Sequence, residues 1–184
     1  MTTAVITIAM VLVAGLIFQA FRAWLQMRGT RLVTCPETRA PAAVEVDVGH
    51  FALTSATGLR ELRLRDCSRW PEKAHCGEMC LAQIEEAPDG CLVRTLLGRW
   101  YEGKSCTLCG RAIGPIRWHD HRPAFKAPDD RIWEWNEVAA ESLPLFLATA
   151  RAVCWNCMIA EGFRHDHPDL VIERPRPPRP HSYN

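Results

Sequence analysis

Two C-x-x-C pairs, Cys106-Thr107-Leu108-Cys109 and Cys154-Trp155-Asn156-Cys157, constrain this chain more than any other feature. Two residues between thiols let both sulfurs reach one metal at about 2.3 Å, and two such pairs complete the closed tetrahedron that Zn(II) adopts in structural sites. Residues 110–153 separate the pairs. That gap exceeds the roughly 15 to 20 residues usual for such sites, and a β-hairpin plus a short helix would fill it. Neither pair is followed by His, since Gly110 and Met158 occupy those positions, so covalent c-type haem is not supported. The alternatives to one shared zinc site are a redox-active thiol pair and thiols that merely pack.

Five of the nine cysteines remain: Cys35, Cys67, Cys76, Cys80 and Cys91. Cys76 and Cys80 are four apart, so on a helix both thiols project from one face. Cys35 and Cys67 stand at turn-like positions, so these four are candidate ligands of a second metal site, with no metal there as the alternative. Zinc and an iron–sulfur cluster both accept four thiolates, so either fits that second group. Cys91 in place of Cys35 gives another quartet, with His75 as a spare ligand; left alone, Cys91 reads as a buried thiol. Each C-x-x-C pair is also followed by a His-Asp-His run, His119-Asp120-His121 and His165-Asp166-His167. Imidazoles at i and i+2 point the same way on a strand, so two sites of two Cys and two His compete with one site of four Cys. The plainer reading of these histidines is solvated loop residues beside Pro123 and Pro168.

Nothing before Arg22 carries a side-chain charge. From Thr3 to Phe21 the polar side chains are one Gln and two Thr, and a helix over this stretch is roughly 29 Å long, close to the roughly 30 Å of bilayer hydrocarbon. A cleaved secretory signal fits poorly, because no basic residue precedes the apolar run and Phe18 would fall at the −3 position of a cut after Ala20. A retained transmembrane anchor over residues 1–26 is expected, with Trp24 at the interface. Arg22, Arg28 and Arg31 all follow the helix, so the positive-inside rule places the N-terminus outside and the domain in the cytoplasm of a bacterial-type inner membrane. That compartment is reducing and favours thiolates on metal over disulfides. The formal charge is only +1; nucleic acid is therefore a poor partner, since phosphate attraction supplies most non-specific affinity.

Along the remainder, Arg31 to Thr34 and Ala43 to Val48 read as a hairpin, and Leu59 to Arg65 as a half-exposed strand. Helical spacing runs from Cys76 to Glu86 and from Cys91 to Tyr101, across a turn at residues 87–90. Strands are expected at Ala112 to His119 and Arg131 to Trp135, then a helix from Ser142 to Ala150 and another opening at Cys154. These divide into a Cys-containing β-hairpin and helical subdomain (27–103), a second metal-binding subdomain (104–168) and a Pro/Arg-rich tail (169–184) of extended, polyproline character, a weak candidate for a PxxP ligand. The tryptophans read as core area in a small metal-stapled fold, with a docking surface at Trp133 and Trp135 as the alternative.

The order of a CTLCG knuckle, a hairpin and a Cys pair on the first turn of a helix resembles zinc-ribbon and treble-clef domains over roughly residues 104–167. That resemblance implies an α+β fold with zinc on Cys106, Cys109, Cys154 and Cys157, and says little about function. The order is also similar to HNH-type nucleases, which implies base and metal-ligand roles for Asp120 and His121. The Asn expected shortly before the second Cys pair is missing, and Met158 stands where His or Asn would follow it. No phosphate loop or nucleophile motif occurs. The resulting expectation is a membrane-anchored, zinc-binding and non-catalytic interaction or assembly module, with the lipid bilayer and a membrane protein as partners. The alternatives are an iron–sulfur or thiol redox protein and a degenerate nuclease.

Overall fold

The computed structural model describes residues 2–70, 72 and 76–170. The fold mixes helix and sheet. Helix α1 (Thr2–Met27) leads into a three-stranded antiparallel meander of β1 (Arg31–Thr34), β2 (Pro41–Val46) and β3 (Leu64–Cys67), in the order β1-β2-β3. Between β2 and β3 lies α2 (Val48–Ala56); α3 (Leu81–Glu86) and α4 (Val93–Tyr101) follow. A second antiparallel sheet has β4 (Ala124–Lys126) at its centre, flanked by β5 (Ile132–Glu134) and β6 (Arg151–Val153). Helix α5 (Leu143–Thr149) precedes β6, and α6 (Trp155–Asp166) follows it.

The β1–β2 hairpin forms as its alternation predicts, but β2 stops at Val46 because Asp47 turns the chain into α2. Its carboxylate accepts the His50 N–H at 3.0 Å, an N-cap bond that satisfies one of the donors a helix start leaves open. Arg63 holds the same carboxylate at 2.6 Å. The strand expected from Leu59 forms only from Leu64, and Cys76 lies outside the helix expected to begin there: α3 starts at Leu81 with Cys80 as its N-cap. The expected strand from Ala112 to His119 is reduced to one bridge, Ser105 to Ala112. β5 ends at Glu134 and Trp135 opens a 3-10 turn, so Trp133 and Trp135 do not share a strand face. The polyproline reading of the tail falls almost wholly on residues 171–184, outside the described residues.

Helix α1 is long and apolar enough to cross a membrane. Most of it is exposed, but one face of its last two turns is not: Ala23 and Met27 are buried in one core with Val44, Phe51, Ala52 and Ile84, and α1 lies along α2. Arg31 locks this junction. Its guanidinium is 0 % exposed and donates to the carbonyls of Met27 (2.5 Å), Gln26 (2.9 Å) and Gly29 (3.1 Å), while Nε reaches the Pro88 carbonyl at 3.3 Å. It thereby satisfies carbonyls that the end of α1 leaves without intrahelical partners. Burial draws its pKa below the ordinary arginine value, opposed by nearby Cys91 and Asp89.

A second core joins α4 to the later sheet through aromatic edges. Phe125 is fully buried between Trp100, Tyr101 and Phe146, with ring centroids 5.4 to 5.6 Å apart. The buried Tyr101 hydroxyl donates to the Ala124 carbonyl, and burial raises its pKa, which keeps it a donor. Trp118 meets Trp135 edge to face, with Arg94 stacked over both rings. The tryptophans at 100, 118 and 135 thus pack against the core as the area argument expects.

Removing the Arg31 fork takes a donor from the buried Met27 carbonyl and from the part-buried carbonyls of Gln26, Gly29 and Pro88. Arg31→Met should destabilise the detergent-solubilised full chain by about 3 kcal/mol, a fall in Tm of roughly 10 °C. Arg31→Lys should recover less than half of it, because an ammonium cannot reproduce the planar fork. A melting curve within about 2 °C of wild type for Arg31→Met would remove this role.

Candidate metal centre

The Cys106 knuckle is a tight turn closed by two backbone bonds. Cys106 N–H donates to the Arg111 carbonyl at 2.8 Å, and Gly110 N–H returns to the Cys106 carbonyl at 2.8 Å. Gly110 sits at φ +73°, the left-handed region that this turn demands and that glycine enters without a Cβ penalty. Thr107 N–H donates to the Ala152 carbonyl at 2.9 Å, which pins the knuckle to β6. One residue beyond β6 the chain reaches Cys154, the N-cap of α6, and Cys157 lies in that helix's first turn. The short strand β6 is what brings the second pair to the first.

The ligand sulfurs of Cys106, Cys109, Cys154 and Cys157 all lie within 4.8 Å of one another, close enough to bind a metal ion. Among the described residues no other group of Cys, His, Asp or Glu gathers its ligand atoms so closely. The Cys109 and Cys154 sulfurs are 3.8 Å apart. That equals the edge of about 3.8 Å that a tetrahedron of sulfurs at about 2.3 Å from zinc would have, and it is far beyond the roughly 2.05 Å of a disulfide. Cys106 is buried, Cys154 and Cys157 are half-buried, and Cys109 is exposed.

The surroundings suit thiolate chemistry. Burial alone would raise the Cys106 thiol, but the backbone N–H groups of Cys154, Cys109 and Leu108 outweigh it and hold Cys106 below the ordinary thiol range. The Cys154 N–H is 3.3 Å from the Cys106 sulfur. Burial pushes Cys154 and Cys157 upward, and for Cys157 the neighbouring thiols add to the rise. Four sulfurs this close, without a cation between them, resist sharing negative charge; a divalent ion reverses that balance. The N-terminus of α6 adds a positive dipole end beside two of them.

None of His119, His121, His165 and His167 belongs to this group of four thiols. His119, His165 and His167 are exposed, in line with solvated positions, although His165 lies in the last turn of α6 rather than in a loop. His121 is half-buried with its ring edge-on to Trp155 at 5.9 Å, and its buried Nδ1 has no hydrogen-bond partner among the described residues. It faces an open cavity of about 500 Å³ bordered by Arg117, Arg122, Cys154 and Asn156. Of the other thiols, Cys35, Cys67, Cys76 and Cys80 line one small cavity beside Trp70. Cys91 stands apart from it, its thiol donating to the Ala87 carbonyl at 3.3 Å; the described lining does not bring it into a quartet, and His75 lies outside the described residues.

Two site-building elements escape the sequence reading. β4 and β6 have three residues each, too short for a period-2 pattern. The available cue to β6 is Ala150-Arg151-Ala152-Val153 between the end of a helix and a Cys-x-x-Cys pair, where the chain has no room for anything but an extended link. No protein-family model matches this chain, and comparison with curated proteins and with solved structures finds no similar one.

The full chain with Cys106→Ser and Cys154→Ser should lose the metal bound at this centre by elemental analysis. Its Tm should fall by roughly 10 °C or more, since site and fold share one free energy. Undiminished metal content would remove these residues as ligands.

Proposed function

We propose that this protein is a single-pass, zinc-binding protein of a bacterial-type inner membrane, whose cytoplasmic domain acts non-catalytically as an interaction or assembly module of a membrane complex. The observation that carries this reading is that the far end of the apolar helix is built into the domain core. At 26 residues α1 is about 39 Å long, some 9 Å more than the roughly 30 Å of hydrocarbon it would cross. The surplus corresponds to about its last six residues, the stretch that holds the buried Ala23 and Met27. A signal peptide cut near Ala20 would leave the core a ragged new terminus, whereas an anchor that continues into the core holds the domain at a fixed distance from the bilayer.

Orientation rests on charge. Arg22 lies 5.9 Å over the Phe18 ring and Arg28 lies 5.4 Å over the Trp24 ring, so both cations belong at the boundary where aromatic rings and basic residues collect. Together with Arg31 they argue for a cytoplasmic domain, where zinc thiolates persist. Zinc held by four thiolates is coordinatively closed, with no position for an activated water, which favours a structural metal over a catalytic one. A rigid, tethered domain of this kind serves by presenting a surface to a membrane partner.

The test is made on membranes from cells producing the full chain. The 20.8 kDa chain should resist alkaline carbonate extraction at its uncleaved mass. Gently solubilised, it should migrate on native gels in a much larger assembly. With Cys106→Ser and Cys154→Ser that assembly should disappear while the chain stays in the membrane. A shortened chain released to the soluble fraction, or a monomer in both forms, would overturn the reading.

A further inference from the structure

The turn after β1 repeats the Cys106 knuckle bond for bond. Cys35 N–H donates to the Ala40 carbonyl at 2.9 Å and Arg39 N–H returns to the Cys35 carbonyl at 2.8 Å, matching the bonds of Cys106 with Arg111 and of Gly110 with Cys106. Arg39 stands at φ +53° where Gly110 stands at +73°. The turn is closed by an antiparallel pair, Thr34 with Pro41, as the other is closed by Ser105 with Ala112. Backbone N–H groups two and three residues on, those of Glu37 and Thr38, serve the Cys35 sulfur as those of Leu108 and Cys109 serve Cys106. An arginine tolerates the left-handed region at some cost, so a turn that keeps it points to a use for the geometry. The one replacement that bears on ligation is Thr38, where the other knuckle has Cys109. The first knuckle therefore offers one thiol, and three more must come from elsewhere.

They are at hand. Cys67 at the end of β3, Cys76 in the loop before α3, and Cys80 at the N-cap of α3 line the same cavity as Cys35. A helix N-terminus again carries a thiol, as Cys154 does on α6. Two side chains fix this arrangement. The Glu78 carboxylate, between Cys76 and Cys80, accepts the Leu64 N–H at 3.1 Å, and Gln83 clasps the Thr34 backbone in both directions at 2.7 and 3.0 Å. The first ties the Cys76–Cys80 loop to β3, and the second ties α3 to the residue before Cys35. Burial raises the thiols of Cys67 and Cys80, and each is raised further by the other thiols of this group.

We propose that Cys35, Cys67, Cys76 and Cys80 form a second, independent site that holds one zinc ion on four thiolates, built on a second copy of the knuckle. The cavity, about 30 Å³, has room for a single ion or water. The four sulfurs are less tightly gathered than at the first site. Cys76 stands in a non-helical stretch four residues ahead of Cys80. With both ions in place each of the two sheets has its own staple, Cys35 and Cys67 bordering the first sheet and Cys106 and Cys154 the second.

The test uses the full chain in detergent, purified under reducing conditions without added metal. Elemental analysis should find about two zinc ions per chain. Cys35→Ser with Cys80→Ser should retain one, and Cys106→Ser with Cys157→Ser should retain the other. Alkylation of the unaltered protein, read cysteine by cysteine by mass spectrometry, covers the case in which a variant fails to fold. A chelator should speed modification of Cys35, Cys67, Cys76 and Cys80 by about tenfold or more as thiolate is freed, and leave Cys91 within about twofold. One zinc per chain with those four reacting equally fast in both conditions would overturn the second site while sparing the first. So would iron with acid-labile sulfide, or disulfides among the four.

Discussion

The mutual closeness of four thiols in the final third is the constraint on which the rest of that region depends. β4, β5 and β6 are three residues each, far below what an isolated sheet needs to persist. Their register is held from two sides, by the Phe125 aromatic cluster and by a knuckle whose Thr107 N–H is bonded to β6. Repulsion among uncompensated thiolates opposes that closure, and a divalent cation is the simplest agent that turns it into attraction. A metal held by these four thiols would therefore be part of the fold rather than an accessory to it.

The other end of the domain is organised by a different force. Apolar burial of the last turns of α1 against α2, with the Arg31 fork over the helix terminus, makes the long helix continuous with the core. A guanidinium with no water contact is costly unless its donors are used, and four carbonyls use them. This junction makes the end of α1 a structural part of the domain. It also explains why the three arginines after the apolar run are not equivalent: Arg22 and Arg28 lie over aromatic rings at the helix surface, while Arg31 is interior.

The sequence made the clustering of Cys106, Cys109, Cys154 and Cys157 legible because ligand spacing is a local property: a knuckle of two intervening residues fixes its own geometry. The apolar helix was legible by length and hydropathy, and the β1–β2 hairpin by its alternation. What could not be read were features set at a distance. α2 hides behind a strand-like Ala43 to Val48 because its signal is one capping aspartate, Asp47, that also completes the alternation. Helical spacing from Cys76 misled because Glu78 adopts φ +49° to reach β3, a tertiary bond that overrides local periodicity. The knuckle at Cys35 was invisible as a knuckle, since Thr38 replaces its second thiol and Arg39 its glycine.

Coupling of a bound metal to folding is what would tie the four-thiol centre to the whole domain. It is tested most directly by following near-ultraviolet circular dichroism and thermal melting of the detergent-solubilised full chain before and after complete metal removal. The account predicts loss of the tryptophan signature and of a cooperative transition on stripping, with both restored when zinc is returned. An unchanged spectrum and an unchanged cooperative melt in metal-free protein would contradict it.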